Sequence, residues 1–362
     1  MIPALIIGAL ASATQAILVN GPTGPYAVSM SVEALTDESR LDPYAPVNNT
    51  HLRRVMTSTF MPVEKTKNSC EGMERVPYMT PLVAAAYDQL GVAVGLPNGT
   101  FSSFEMEFCQ PKTRSCRRPR SNFPLVLFSP GWGNPRLLYG AMAREVASHG
   151  FAVVTIDHPY DPSFVEFPDG TVYQAVNLDT DNTTQLESLT QNPINSVNLK
   201  HTIMFGHSLG GATAAAAMLQ DSRILGGINL DGKLLDPVLN AGLDRPFTLV
   251  GRPGHSADDP TWAVFFAALR GAKALLTVNN TTHGAFTDFP NLISSLNLTL
   301  PEAARSLLES ELGSLEFGRI GKVVAGIVGA FADLVLHKRV KSVFTSAGDP
   351  AFPEVVGTSI DI

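Results

Sequence analysis

The sequence predicts an α/β fold with a mostly parallel central sheet flanked by helices. Three observations predict it. From Phe123 onward, short apolar runs alternate with helical stripes, the pattern of strands that cross over to parallel neighbours. Several of these runs are apolar throughout, as strands covered on both faces must be. With 362 residues, 44% apolar and 16% charged, the chain can bury a core of that size.

The elements follow in order. Residues 17–35 lead into a first strand at 27–35, bounded by Gly24-Pro25 and Thr36-Asp37. A second strand is expected at 54–63. Residues 68–105 read as irregular, with a helix near 81–90. The basic run 112–120 reads as a solvated turn. Residues 124–128 form an apolar strand, and Leu138, Ala141, Met142 and Val146 make a helical stripe that Gly150 ends. Further strands are expected at 151–156, 202–205, 224–230, 247–250 and 272–278, with a polar excursion at 158–195. Two helices close the chain, near 301–312 and 320–336. The second is apolar, but Lys322, Asp333 and its glycines mark a docking helix rather than a membrane span. The organisation is therefore one domain over 17–362, with insertions at about 68–105 and 158–195.

Composition narrows the function classes. The net charge of −7 argues against nucleic acid, whose partners carry basic footprints. Residues 2–13 are apolar but too short to span a bilayer, and small residues follow. This reads as a secretory signal cleaved after Ala16, although no Lys or Arg precedes the run. Asn48, Asn98, Asn182, Asn279, Asn280 and Asn297 each open a glycosylation triplet, the overlapping pair Asn279 and Asn280 supplying at most one site. The three cysteines allow one disulfide, Cys70 with Cys109 or Cys116. No Cys/His spacing suits zinc, and neither a metal nor a cofactor is expected.

Chemistry concentrates at Gly206-His207-Ser208-Leu209-Gly210-Gly211, between the apolar run 202–205 and the small-residue stretch that follows. Strand, sharp turn and helix with serine at the apex lift a hydroxyl above the sheet at a helix N-terminus. A serine hydroxyl needs a base, and the base needs an orienting carboxylate. In α/β-hydrolases the partners follow in the order serine, acid, histidine. Asp231 closes the next strand and Gly232 lets the chain turn there. Asp258 and Asp259 are rival acids in a polar loop. His283 follows the strand at 272–278, with His255 as the rival base. His51, His149 and His158 precede the serine, and His207 faces away from its proton. The oxyanion needs two main-chain donors. The Leu209 amide is one, and the Trp132 amide in Ser129-Pro130-Gly131-Trp132-Gly133 is the other.

These motifs together resemble the secreted platelet-activating-factor acetylhydrolases, the lipoprotein-associated phospholipase A2 type. The resemblance runs from Phe128-Ser129-Pro130-Gly131-Trp132-Gly133 and Ala147-Ser148-His149-Gly150-Phe151-Ala152-Val153-Val154 through the serine motif, Asn229-Leu230-Asp231-Gly232 and His283. Ile156-Asp157-His158-Pro159-Tyr160-Asp161, Phe167-Pro168-Asp169-Gly170 and Pro22-Thr23-Gly24-Pro25-Tyr26 resemble fungal members. The match covers most of residues 20–355. It implies an α/β-hydrolase fold with Ser208, Asp231 and His283 as triad, and Trp132 and Leu209 as oxyanion donors. It further implies calcium-independent cleavage of short or oxidised sn-2 acyl chains from a small-molecule or lipid ester, with peripheral lipid-surface contact. One departure stands out. Members commonly carry His-Gly where this chain has Pro130-Gly131, which leaves the Trp132 amide available and puts the family's acyl-pocket shape in doubt for this chain. Polyester hydrolases and cutinase-like enzymes share the scaffold. An esterase, lactonase or acyltransferase on another ester is the alternative, and a catalytically silent binding protein is the alternative of another class.

Overall fold

The computed structural model describes residues 16–65, 69–93, 95–112, 123–176, 202–297, 299 and 301–362. The expected leader up to residue 15, Cys116 with most of the basic run, and Asn182 lie outside the described residues.

The strands are β1 (Ile17–Leu18), β2 (Ala27–Leu41), β3 (Leu52–Val63), β4 (Cys70–Pro77), β5 (Phe104–Pro111), β6 (Leu125–Ser129) and β7 (Ala152–Asp157). They continue as β8 (Phe164–Glu166), β9 (Val172–Gln174), β10 (Thr202–His207), β11 (Ile224–Leu230), β12 (Phe247–Gly251), β13 (Lys273–Val278) and β14 (Val355–Asp361). Among the described residues, nine of them make one sheet in the order β14-β13-β12-β11-β10-β6-β7-β3-β2. The run from β13 to β7 is parallel, and β14, β3 and β2 are antiparallel additions at the edges.

Alternation along each central strand sorts side chains to two cores. Val126 and Phe128 of β6, with Ile203 and Phe205 of β10, face the helices Gly140–Ser148 and Arg319–His337. Leu127 and Met204 face the other way, onto the helix Leu209–Gln220. The result is three layers, helix on sheet on helix. The helix Arg319–His337 is long and apolar enough to cross a membrane. Here Val323, Val324, Ile327, Val328 and Phe331 are fully buried in the core. Its Phe331 and Val335 lie over Gly226 of β11, where a side chain would collide with them.

The segment 68–105 is more regular than its sequence suggested. β4 and β5 flank the helix Pro81–Ala93 and form a three-stranded side sheet in the order β1-β5-β4. A disulfide joins Cys70 of β4 to Cys109 of β5, which selects between the two expected pairings. The described part of the polar excursion holds the hairpin β8-β9. β2 continues past Thr36-Asp37, read above as a stop, because β3 continues too and pairs Thr36 with Arg54 and Asp37 with Arg53. Pairing overrides the local turn preference there.

One topological fact positions the site. The chain lays β7 on one side of β6 and then returns to place β10 on the other. Open α/β sheets bind ligands outside the carboxyl ends of the strands where the order reverses. Here that crevice lies at the ends of β6 and β10.

Candidate active site

β10 ends at His207 and the helix Leu209–Gln220 begins at Leu209, so Ser208 makes the whole turn. Its backbone sits at φ 55°, ψ −125°. Such a conformation costs a non-glycine residue about 1–3 kcal/mol and persists only where its surroundings hold it. They do: the Ser208 amide donates to the Leu230 carbonyl at 2.8 Å, and the Gly211 amide donates to the Ser208 carbonyl at 2.9 Å. A Cβ on Gly206 would fall 2.1 Å from the Gly210 carbonyl oxygen, and one on Gly210 would fall 2.0 Å from that of Ser129. Two glycines therefore let strand, helix and the β6 loop meet.

Asp231 follows β11, itself at φ 55°, and is 1% exposed. Its two oxygens face different partners. Nδ1 of His283 lies 2.7 Å from Oδ2. Oδ1 accepts the Arg252 amide at 2.8 Å. Nδ1 of His255 also lies 2.8 Å from Oδ1, an ion-pair separation without hydrogen-bond alignment. Burial pushes the Asp231 carboxyl up, but the His255 and His283 imidazoles and the Arg252 amide outweigh burial and hold it well below the usual carboxylate range. The carboxylate is ionised at neutral pH.

The two rival bases separate by position. The His283 side chain is 51% exposed, at the start of the short turn His283–Phe286 after β13. That of His255 is 9% exposed and turns its Nε2 to Asp259 Oδ2 at 3.5 Å. His283 is the exposed imidazole, with no hydrogen-bond partner for Nε2 among the described residues, while His255 is the buried one on the other oxygen of the acid. Of the rival acids, Asp258 pairs with Arg252 at 2.8 Å and Asp259 with Thr261 at 2.7 Å.

The loop after β6 passes close to Ser208. A Cβ on Gly131 would lie 3.1 Å from Ser208 Cβ. The Gly131 amide donates to the Tyr139 hydroxyl at 3.2 Å and the Gly133 amide to Asp161 Oδ1 at 2.7 Å. Between them, the Trp132 amide has no intramolecular acceptor among the described residues, and neither has the Leu209 amide. Two unengaged N–H groups thus lie next in sequence to Ser208 and to Gly131, the residue that packs on Ser208. Among the described residues, no three His, Cys, Asp or Glu side chains gather as a metal site.

Sequence reasoning missed the brace behind these groups. The Tyr139 oxygen accepts from Gly131 and from Asn134 Nδ2 at 3.2 Å, so its proton goes to His207 Nδ1 at 2.9 Å. His207 Nε2–H then donates to the His283 carbonyl at 3.1 Å. Burial first, and the neighbouring His283 second, lower the His207 imidazole to about 3 and keep it neutral. The chain Gly131, Tyr139, His207, His283 ties one wall of the crevice to the other. The histidine inside the turn was visible in sequence, but its partner Tyr139 comes from a separate element.

Hydroxyl, imidazole–carboxylate pair and unengaged amides follow the carboxyl ends of β10, β13, β11 and β6, a set of groups suited to attack on a carbonyl. The α/β hydrolase family pattern matches residues 126–353. The chain belongs to the α/β hydrolase family. Its sequence is 29% identical over 330 residues to a probable 1-alkyl-2-acetylglycerophosphocholine esterase of Arthroderma benhamiae, with 82% of each chain covered. It is 25% identical over 224 residues to a platelet-activating factor acetylhydrolase of Cavia porcellus, covering 49% of this chain and 51% of that one. The resemblance read from the motifs therefore extends well beyond them. Among solved structures, the ferulic acid esterase of Streptomyces cinnamoneus superposes with a TM-score of 0.71 at 26% identity, covering 96% of this hydrolase and 100% of that chain.

Proposed function

We propose that this hydrolase is a secreted serine carboxylester hydrolase that cleaves short or oxidised sn-2 acyl chains of platelet-activating-factor-like phospholipids, without calcium. One observation carries the reading. Ser208 stands strained at the end of β10, where the sheet reverses its order, and the exposed His283, which packs on the neighbouring His207 ring, pairs at 2.7 Å with a buried Asp231.

Ser208 Oγ attacks the ester carbonyl while His283 takes the hydroxyl proton. Asp231 holds the Nδ1–H, which leaves Nε2 as the basic nitrogen. The Trp132 and Leu209 amides donate to the oxyanion, and losing one such donor typically costs about 10²–10³ in rate. His283 returns the proton to the leaving oxygen, which departs as the alcohol. Water then attacks the acyl-enzyme by the same relay, releasing the carboxylic acid and restoring the hydroxyl. Every proton is carried by His283, so EDTA is expected to leave turnover unchanged.

The acetylhydrolase relatives support the phospholipid as substrate. The ferulic acid esterase neighbour supports a second reading, an aryl-ester hydrolase. A panel of 2-acetyl phospholipid, longer 2-acyl phospholipids and methyl ferulate tests both. Fastest turnover of the 2-acetyl lipid is expected, and a clear preference for methyl ferulate overturns the first reading. A fluorophosphonate probe tests the serine itself. An adduct on Ser208 is expected, and its absence would promote a silent binding protein.

Secretion rests on three supports: the apolar run 2–13, the Cys70–Cys109 disulfide, and exposed sequon asparagines at Asn48, Asn98, Asn280 and Asn297. Asn279 is half-buried, which favours Asn280 in the overlapping pair. Amino-terminal sequencing of the exported chain should begin at Ile17.

A further inference from the structure

We infer that His255 is a positioning residue for Asp231: it holds the carboxylate from the side opposite His283 and sets how far into acid the enzyme stays active. This rests on the serine-hydrolase reading above.

The geometry begins with how firmly His255 is placed. It opens the short helix His255–Asp258 after β12 and packs on the Trp262 ring, with centroids 4.1 Å apart. Trp262 is fixed in turn by its indole N–H, which donates to the Gly232 carbonyl at 2.8 Å, one residue beyond the acid. On one side Nδ1 stands 2.8 Å from Asp231 Oδ1, and on the other Nε2 stands 3.5 Å from Asp259 Oδ2. Asp259 is itself held by the Thr261 amide at 3.0 Å and hydroxyl at 2.7 Å. The ring is therefore wedged between two carboxylates that cannot swing away. Both nitrogens face the acids at ion-pair separations without hydrogen-bond alignment, and the side chain is only 9% exposed. Its action on the reaction passes through Asp231.

The charge of this ring matters as much as its place. Burial works against its proton, but the two carboxylates more than offset burial and push it up to about 9. At neutral pH it is an imidazolium. Other charged groups face the cluster. Arg252 places Nε 3.8 Å from Asp231 Oδ2 and an Nη on Asp258 at 2.8 Å, and His283 faces Asp231 from the crevice. Trp262 and Gly251 present uncharged surfaces to His255. A second proton on His283 would add a further positive charge to the same carboxylate. The His255 cation opposes a further positive charge at that carboxylate. Asp259 supplies the counter-charge and limits the effect. The two residues pull the acid limb of the rate profile in opposite directions.

The test is the pH profile of kcat/KM for p-nitrophenyl acetate in His255→Gln and Asp259→Asn. In His255→Gln the acid limb should move to higher pH by about one unit, the scale of losing one nearby charge. Its kcat should fall about tenfold with KM little changed, because a supporting contact is lost and not a substrate contact. In Asp259→Asn the acid limb should move the other way, to lower pH. Opposite movements support the inference, since a purely structural role predicts no such pair of signs. Unmoved limbs in both variants overturn it. If His255→Gln fails to fold, Asp259→Asn alone decides by the direction of its shift. Fluorophosphonate labelling of the wild type separates the two levels. A labelled Ser208 with unmoved profiles removes only the role of His255, whereas an unlabelled Ser208 removes the esterase reading as well.

Discussion

Two buried aspartates depart from the usual carboxylate range in opposite directions, Asp231 downward and Asp288 upward. Asp231 is 1% exposed and Asp288 is 2% exposed. Asp231 meets an imidazole at each oxygen and stays ionised. Asp288 receives three neutral donors: the Tyr78 hydroxyl at 2.8 Å, the Ala141 amide at 2.6 Å and the Met142 amide at 2.9 Å. Burial nevertheless pushes its carboxyl up to about 7, with those donors opposing only in part. Among the described residues it has no ion-pair partner. Neutral donors do not offset the loss of water around a carboxylate, and a facing cation does. In the proposed mechanism the first aspartate serves chemistry. The second ties the chain just after His283 to the first turn of the helix Gly140–Ser148, where amides point outward.

The sharpest way to break this contrast begins at the nucleophile. Ser208→Ala should lower kcat by about 10⁶ if the three groups act as a unit, measured on p-nitrophenyl acetate. Asp231→Asn should lower it by about 10⁴, because the wrong tautomer of His283 is then favoured. Asp288→Asn should leave turnover within a few-fold. It should cost about 1–3 kcal/mol of stability by turning an amide group toward a buried N–H, read from urea unfolding. If Asp288→Asn proves as inactive as Asp231→Asn, the division of labour is wrong.

The two carboxyls also differ in sign with pH. Asp231, depressed in the fold, contributes stability above its unfolded value of about 3.9 and loses it as pH falls through its folded value. Asp288, raised in the fold to about 7, contributes below about 3.9 and loses that contribution as pH rises toward 7. Urea midpoints across pH should show Asp288→Asn flattening the slope between about 4 and 7, and Asp231→Asn flattening it below about 4. Among the residues that build the crevice, the smallest effect should come from Tyr139→Phe. It removes the link from the Gly131 loop to His207, and a net hydrogen bond of about 0.5–1.5 kcal/mol sets a loss of at most about tenfold in kcat.

The central strands were legible because their own side chains declare them. The run at β10, the turn at Ser208 and the strand end at Asp231 needed no partner to be recognised. β5 was legible too and was missed: Phe104, Met106 and Phe108 are buried while Glu105 and Glu107 are not, a clean period of two. β4 and β14 gave weaker signals, since most of their residues are exposed at sheet edges. His255 shows the deeper limit. It could be named as a rival to His283, but only the adjacency of β11 and β12 places it against the far oxygen of Asp231. Sequence spacing carries no information about which side of a carboxylate a residue approaches. The Tyr139–His207 brace escaped for the same reason.

The crowding at Gly206 and Gly210 has a last consequence. With no space for a single methyl group at either position, the oxygen proposed to react has an address written in the main chain. Any retuning toward a different ester has to come from the surrounding loops, Ser129 to Gly133 foremost, while the point of attack stays where it is.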